Sequence, residues 1–310
     1  MKRKIDILCI GETLIDFIGH QEDTPINKIT DYHRYLGGSP TNVAMNASRL
    51  GLKSALISTV GQDGLGDYIL EKLNSAGIIT SQINRLREKS TSVILISKST
   101  NTPEFISHRD ADFHIIDDQL STEVIASAKI FHTTCFALSR NPARSTILKK
   151  AKEASKLGCQ LSIDLNYSNK VWENKEDAIQ AITTYCSLNP LIKISEDDSY
   201  RLFGKNISHQ EIFNFFHNLG ADKVCLTLGS KGVKLSEKNN EMIELPAIEV
   251  KQIIDTTGAG DAFWSGFLYA FIKNKNLHDC IQSALKLAAL KLQNVGRLPE
   301  DINILSAISE

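Results

Sequence analysis

Short runs of β-branched and other apolar residues alternate along this chain with longer segments of helical period, and that alternation limits the fold more than any other feature. The strand candidates are "IDILCI" (5 to 10), "KSALISTV" (53 to 60), "AKIFHT" (128 to 133), "CQLSID" (159 to 164), "LIKIS" (191 to 195) and "KVCLTL" (223 to 228). Helical patterns fall at 41 to 51, 64 to 76, 140 to 158, 172 to 187 and 208 to 219, and two more close the sequence at 259 to 273 and 276 to 293. Strands that alternate with helices in this way build a parallel sheet covered on both faces, which predicts a three-layer α/β/α sandwich with strand ends open to a ligand.

Three segments break the pattern. Residues 12 to 18 ("ETLIDFI"), 31 to 36 ("DYHRYL") and 91 to 108 read as extended pieces without helices between them. They are expected to pair as a small antiparallel sheet outside the main one. An apolar sheet face must cover a site, meet a second subunit, or both, so this sheet reads as a lid. No repeat or low-complexity linker divides the rest, and residues 1–310 read as one α/β domain carrying that lid.

Lys plus Arg total 35 against 36 for Asp plus Glu, so the chain has no basic field for nucleic acid or an acidic membrane. Six scattered cysteines form no CxxC pair and read as reduced core residues of a cytoplasmic protein. The opening apolar run of about six residues is shorter than a signal segment of roughly 7 to 15. Nothing approaches the roughly 18 apolar residues of a membrane span.

One stretch carries chemistry: "DTTGAGDAFWSGF", Asp255 to Phe267. A helix starting near Ala259 leaves its first N–H groups unpartnered, and its dipole adds positive charge there. Glycines at 258 and 260 let an anion approach the backbone. Read alone, the stretch is equally a tight turn with Asp261 complementing the dipole. It is not a dinucleotide fingerprint, because the glycines come late in the chain, and no GxxxxGK[ST] occurs.

A second stretch resolves the choice. "LGGSPTNVAMNASRLGLKSALISTVG" sets Gly37 and Gly38 before a helix with Asn42 in its first turn. With "DTTGAGDAFWSG" it resembles the two signature patterns of the PfkB, or ribokinase-like, family of carbohydrate kinases, from Cys9 to about Pro299. The resemblance implies that Asp261 is the catalytic base and that the amides of Gly258, Ala259 and Gly260 form an anion hole for the γ-phosphoryl group of ATP. It further implies that Asp16, Gly37, Gly38, Asn42 and Asn166 meet the sugar, with Arg109 reaching in from the lid. On the nucleotide side it points to Thr227, Gly229, Gly232, Asn294 and Gly296, with Glu196 ordering water around Mg2+. Lys193 stands where some members have asparagine, and Asp255 and Thr257 could offer oxygens to a monovalent cation such as K+. A homodimer through the lid is implied as well.

The dipole of the 259 to 273 helix is expected to depress the pKa of Asp261. One departure concerns the substrate: in "DLNYSNKVW", Asp164 and Asn166 are kept, but Ser168 replaces the arginine usual in the fructokinase-like branch, with Lys170 nearby. That loss tilts the reading toward a neutral sugar. Fructose stands first, with 5-dehydro-2-deoxygluconate and 2-keto-3-deoxygluconate as alternatives. A sugar-binding regulator without catalysis is the reading from another class.

Overall fold

The fold is described from a computed structural model, covering residues 3–99, 104–295, 298 and 303–309. Its strands are β1 (Ile5–Ile10), β2 (Leu14–Glu22), β3 (Tyr32–Gly37), β4 (Ser54–Gly61), β5 (Ile83–Leu86), β6 (Val93–Lys98), β7 (Phe105–His108), β8 (Ala128–Thr134), β9 (Gln160–Asp164), β10 (Leu191–Ser195), β11 (Lys223–Thr227), β12 (Val233–Glu237) and β13 (Ile243–Leu245). Nine of them form one sheet in the order β13-β12-β11-β10-β9-β8-β1-β4-β5. All of its pairings are parallel except β11–β12 and β12–β13, which add an antiparallel hairpin at one edge.

The helices are α1 (Ser39–Arg49), α2 (Gly64–Ser75), α3 (Thr122–Ala126), α4 (Ala143–Lys156), α5 (Lys175–Cys186), α6 (Glu196–Phe203), α7 (His209–Leu219), α8 (Ala259–Ile272), α9 (Leu277–Leu292) and α10 (Ile304–Ser309). Side chains alternate across β1: Leu8 and Ile10 join the core under α4, α5 and α7, while Ile7 and Cys9 join the core under α1, α2, α8 and α9. The expected three layers are present. Local chemistry sets the helix ends. Asp63, Asn174, Ser195, Ser208 and Asn276 cap first turns with their side chains, and Gly204 and Gly220 close α6 and α7 in the left-handed region.

The remaining strands make a second sheet in the order β3-β2-β6-β7. It uses the three segments that broke the sequence pattern. Its outer pairs are antiparallel and its central pair, β2 with β6, is parallel. Leu14, Ile18, Ile94 and Ile96 form a small core of its own, touched by Tyr35, Phe105 and Phe136.

Helix α8 is apolar around most of its circumference because it lies between the sheet, α1 and α9. Gly266 lets α9 approach. A Cβ there would stand 2.6 Å from the Ser283 carbonyl oxygen and 2.9 Å from Ala284 Cα, both backbone atoms that cannot swing aside. Alanine gains about 1 kcal/mol of helix propensity over glycine, but overpacking a core costs about 1–3 kcal/mol. Gly266→Ala should therefore lower the urea midpoint of unfolding, and an unchanged or raised midpoint would contradict this packing.

Candidate active site

Helices α1 and α8 bring their first turns to one carboxylate. The Ser39 hydroxyl donates to Asp261 Oδ1 at 2.6 Å and the Asn42 amide donates to Oδ2 at 2.8 Å. Positions 39, 42 and 46 recur on one face of α1, as 261 and 265 do on α8. Asn46 accordingly reaches the Ser265 hydroxyl at 3.4 Å, and that hydroxyl donates to the Asp261 carbonyl at 2.6 Å. Both oxygens of Asp261 are thus fixed in orientation before any ligand arrives.

The glycines around it have separate causes. Gly258 caps α8 at φ 76°, in the left-handed region. A Cβ on Gly260 would lie 2.7 Å from Lys193 Nζ, one on Gly37 would run into the Asp16 carboxylate, and one on Gly38 into the Glu12 carbonyl. The first intrahelical bond of α8 runs from the Ala262 N–H to the Gly258 carbonyl, so the amides of Gly258, Gly260 and Asp261 lie ahead of the ladder. The Ala259 amide differs from these: it donates to the Thr256 carbonyl at 3.1 Å.

Asp16, Asn42, Thr257 and Gly258 line one cavity together with Tyr35 and Leu36. Burial pushes the Asp16 carboxyl up to about 7, and the negative charges of Asp261 and Asp255 add to the shift. Asp261 is also raised, to about 6, by burial first and by Asp164 next, against the hydrogen bonds from Ser39 and Asn42 and the charge of Lys193. The sequence expectation of a depressed value reverses here, because loss of water around the carboxylate outweighs the helix dipole. Sequence reasoning also passed over Glu12. Its carboxylate accepts from the Ser39 amide at 3.1 Å and the Thr134 hydroxyl at 2.9 Å, and burial pushes it up to about 8. Its place directly after β1, inside "GETLID", was the available signal.

Residues 4–300 match the pfkB family carbohydrate kinase profile. The chain is 37% identical over 296 residues to an ATP-dependent 6-phosphofructokinase of Thermoanaerobacterium thermosaccharolyticum, covering 96% of this chain and 90% of that one. The chain belongs to the pfkB family of carbohydrate kinases. Among solved structures it resembles a fructokinase of Halothermothrix orenii (TM-score 0.81, 33% identity, 94% and 100% coverage). It also resembles a sugar kinase of Pyrococcus horikoshii in complex with ATP (TM-score 0.83, 28% identity, 98% and 99% coverage). It is accordingly a phosphotransferase acting on an alcohol group, on the ribokinase-like fold.

Within this pfkB kinase, Lys193 has a partner that the sequence left unseen. It pairs with Asp164 on the neighbouring strand, with Nζ 3.0 and 2.8 Å from the two carboxylate oxygens, and the pair is buried beneath Gly260. Burial alone would lower the lysine pKa, but Asp164 and Asp198 more than offset it and hold the ammonium charged. Arg109 is turned away from the cavity. Its side chain is 2% exposed, bonded to Asp112 at 2.6 and 2.9 Å and to the Ser139 hydroxyl, and stacked over Phe136. Asn166 Oδ1 accepts from the Phe136 amide at 3.1 Å, so it orders the turn after β8. The Ser168 hydroxyl accepts from the Lys170 amide at 3.2 Å, and the Lys170 ammonium lies over the Phe105 ring.

Of the residues expected to meet nucleotide, Glu196 opens α6, half exposed, beside His209 Nε2 at 3.0 Å and Lys231 Nζ at 3.7 Å. Among the described residues no group of three acidic, histidine or cysteine side chains could hold a metal alone. A single carboxylate in water suits Mg2+ carried on nucleotide phosphates and met through its water shell. Thr227 ends β11, and Gly229 sits in open space at φ 58°. Gly232 is demanded by the fold itself, since a Cβ would collide with the Leu245 carbonyl. Asn294 turns its amide onto the Leu290 carbonyl at the end of α9, and Gly296 lies outside the described residues.

If an ionised Asp261 is required, kcat/KM should fall on the acid side through about 6, with Asp16, at about 7, widening the limb. Lys193→Met removes a charge that favours the carboxylate, so the limb should move to higher pH. A flat profile between pH 5 and 8, about one unit below to about one above those values, would exclude this role for Asp261.

Proposed function

We propose that this kinase transfers the γ-phosphoryl group of ATP to a primary hydroxyl of a small neutral sugar, fructose before others. One observation carries the proposal: Asn42, which with Ser39 holds Asp261, lines one cavity with Asp16 and with Gly258, at the helix end whose amides are open to an anion. In this reading Asp16 and Asn42 hold sugar hydroxyls. The reacting hydroxyl oxygen attacks the γ-phosphorus, its proton passes to Asp261, and the bond to the bridging oxygen breaks to release ADP. The amides of Gly258 and Gly260 meet the charge that spreads over the phosphoryl oxygens. Bound with ATP, Mg2+ would neutralise phosphate charge, with Glu196 ordering its water.

Charge pairing supports a neutral sugar. Arg109, Lys193 and Lys291 each stand against a carboxylate of their own, Asp112, Asp164 and Asp255. A substrate phosphate or carboxylate would have to compete for them. Fructose 6-phosphate is the second reading, favoured by the identity to the 6-phosphofructokinase and by Lys170 at the lid. The dimer belongs to the same proposal: Ile106 of β7 is 42% exposed on the lid, which supports a partner there. Six buried thiols, none in a disulfide, support a cytoplasmic location.

ADP release should be measured with fructose, fructose 6-phosphate, 2-keto-3-deoxygluconate, 5-dehydro-2-deoxygluconate and ribose. Fructose should give the highest kcat/KM; no turnover with any of them, alongside tight sugar binding, would make the chain a regulator instead. Asp261→Asn should lower kcat by about 10²–10⁴ while ATP still binds, and near-normal turnover would remove Asp261 from the chemistry. Sedimentation velocity should give a dimer, and a monomer at assay concentration would remove that element.

A further inference from the structure

The family resemblance implies a monovalent cation beside the 255–261 loop, with Asp255 and Thr257 as oxygen donors. The residues present do not fit one, because a side chain already fills the position. Lys291, in the last turn of α9, is buried and brings Nζ to 2.8 Å from the Asn294 carbonyl, 3.3 Å from the Asp255 carbonyl and 3.6 Å from Asp255 Oδ2. All three contacts are oxygen acceptors, which an ammonium group can satisfy with its three protons. An ammonium and a potassium ion are alike in charge and similar in size, and both prefer a cage of carbonyl and carboxylate oxygens.

The same contacts shape the catalytic loop. Asp255 Oδ1 accepts from the Thr257 amide at 2.9 Å, immediately before Gly258 turns into the left-handed region and starts α8. The Ile254 amide donates to the Leu292 carbonyl at 2.8 Å, so the loop and the end of α9 are also joined through the backbone beside the lysine. Asp255 is 1% exposed, and a buried carboxylate needs a compensating charge. Lys291 supplies it. A second monocation would sit against the ammonium with one carboxylate to share between them.

We propose that the Lys291 ammonium is a tethered replacement for the monovalent cation: it neutralises Asp255, sets the Thr257–Gly258 turn that aims the anion-hole amides, and frees this kinase from any K+ requirement. Lys291 is then a positioning residue. It acts on the phosphoryl group only through the backbone it holds. Burial holds its pKa below the ordinary lysine value, against the pull of Asp255 and Asp261.

The proposal rests on the family assignment and on this loop, not on which sugar is used. It is tested with the full-length enzyme transferred into tetramethylammonium buffer, then titrated with K+ at constant ionic strength. Two quantities are read: kcat on the best sugar of the panel, and the melting temperature without sugar or nucleotide. Wild type should respond to K+ in neither. Lys291→Ala should lose about 10²-fold in kcat, comparable to losing an oxyanion-hole donor. K+ or NH4+ should restore it saturably, raising the melting temperature in the same concentration range. Lys291→Met, which fills the space without charge, should stay inactive in K+. Saturable activation of wild type by K+ would overturn the proposal, as would a folded Lys291→Ala protein that K+ neither reactivates nor stabilises. If Lys291→Ala fails to fold, the wild-type titration still decides. The melting readout involves no substrate, so a wrong sugar leaves it intact.

Discussion

Everything at the centre of this molecule follows from the requirement that two helix N-termini share one carboxylate. Asp261 belongs to α8, but its two oxygens are fixed by Ser39 and Asn42 of α1. For the helices to meet there, the turn before α1 must press against Glu12 and Asp16, which only glycines at 37 and 38 permit. Gly260 must likewise lie on Lys193, and Gly266 on the backbone of α9. The glycines of both signature stretches are therefore consequences of close packing as much as openings for a ligand.

Around that point charge is arranged in closed pairs and deliberate exceptions. Arg109 with Asp112, Lys193 with Asp164 and Lys291 with Asp255 are each balanced, in surroundings where an unbalanced charge costs several kcal/mol. Among the described residues, Glu12, Asp16 and Asp261 have no such cation of their own in direct contact, and burial shifts all three upward. Asp198, bonded to Ser195 and Arg201, is raised by burial as well, to about 6.

The parts of this arrangement legible in the sequence were those governed by local rules. Short apolar β-branched runs and period-3.6 patterns located the parallel strands of the large sheet other than β5, with helices covering them, and glycine followed by a polar first turn located the starts of α1 and α8. The β12–β13 hairpin was missed because "VKLSEK" alternates the buried Val233 and Leu235 with polar residues and lacks a continuous apolar run. The Lys193–Asp164 pair was invisible because it depends on the register of two strands with a helix between them. Arg109 was read as reaching for substrate, yet its partner Asp112 stands three residues away, in a turn whose geometry no periodicity reveals. The dipole at Asp261 could be read from sequence; the loss of water around it could not.

The lid has a mechanical property that its connections dictate. Strand β2 starts three residues beyond β1, through Gly11, Glu12 and Thr13, and β3 passes into α1 through Gly38 alone. Both connections meet at the start of α1, where the Glu12 carboxylate accepts from the Ser39 amide, so the second sheet and α1 are tied together there. In the proposed reading, a sugar too large for that sheet to seat against would draw Ser39 and Asn42 off Asp261, and size selection would be expressed in turnover rather than in affinity.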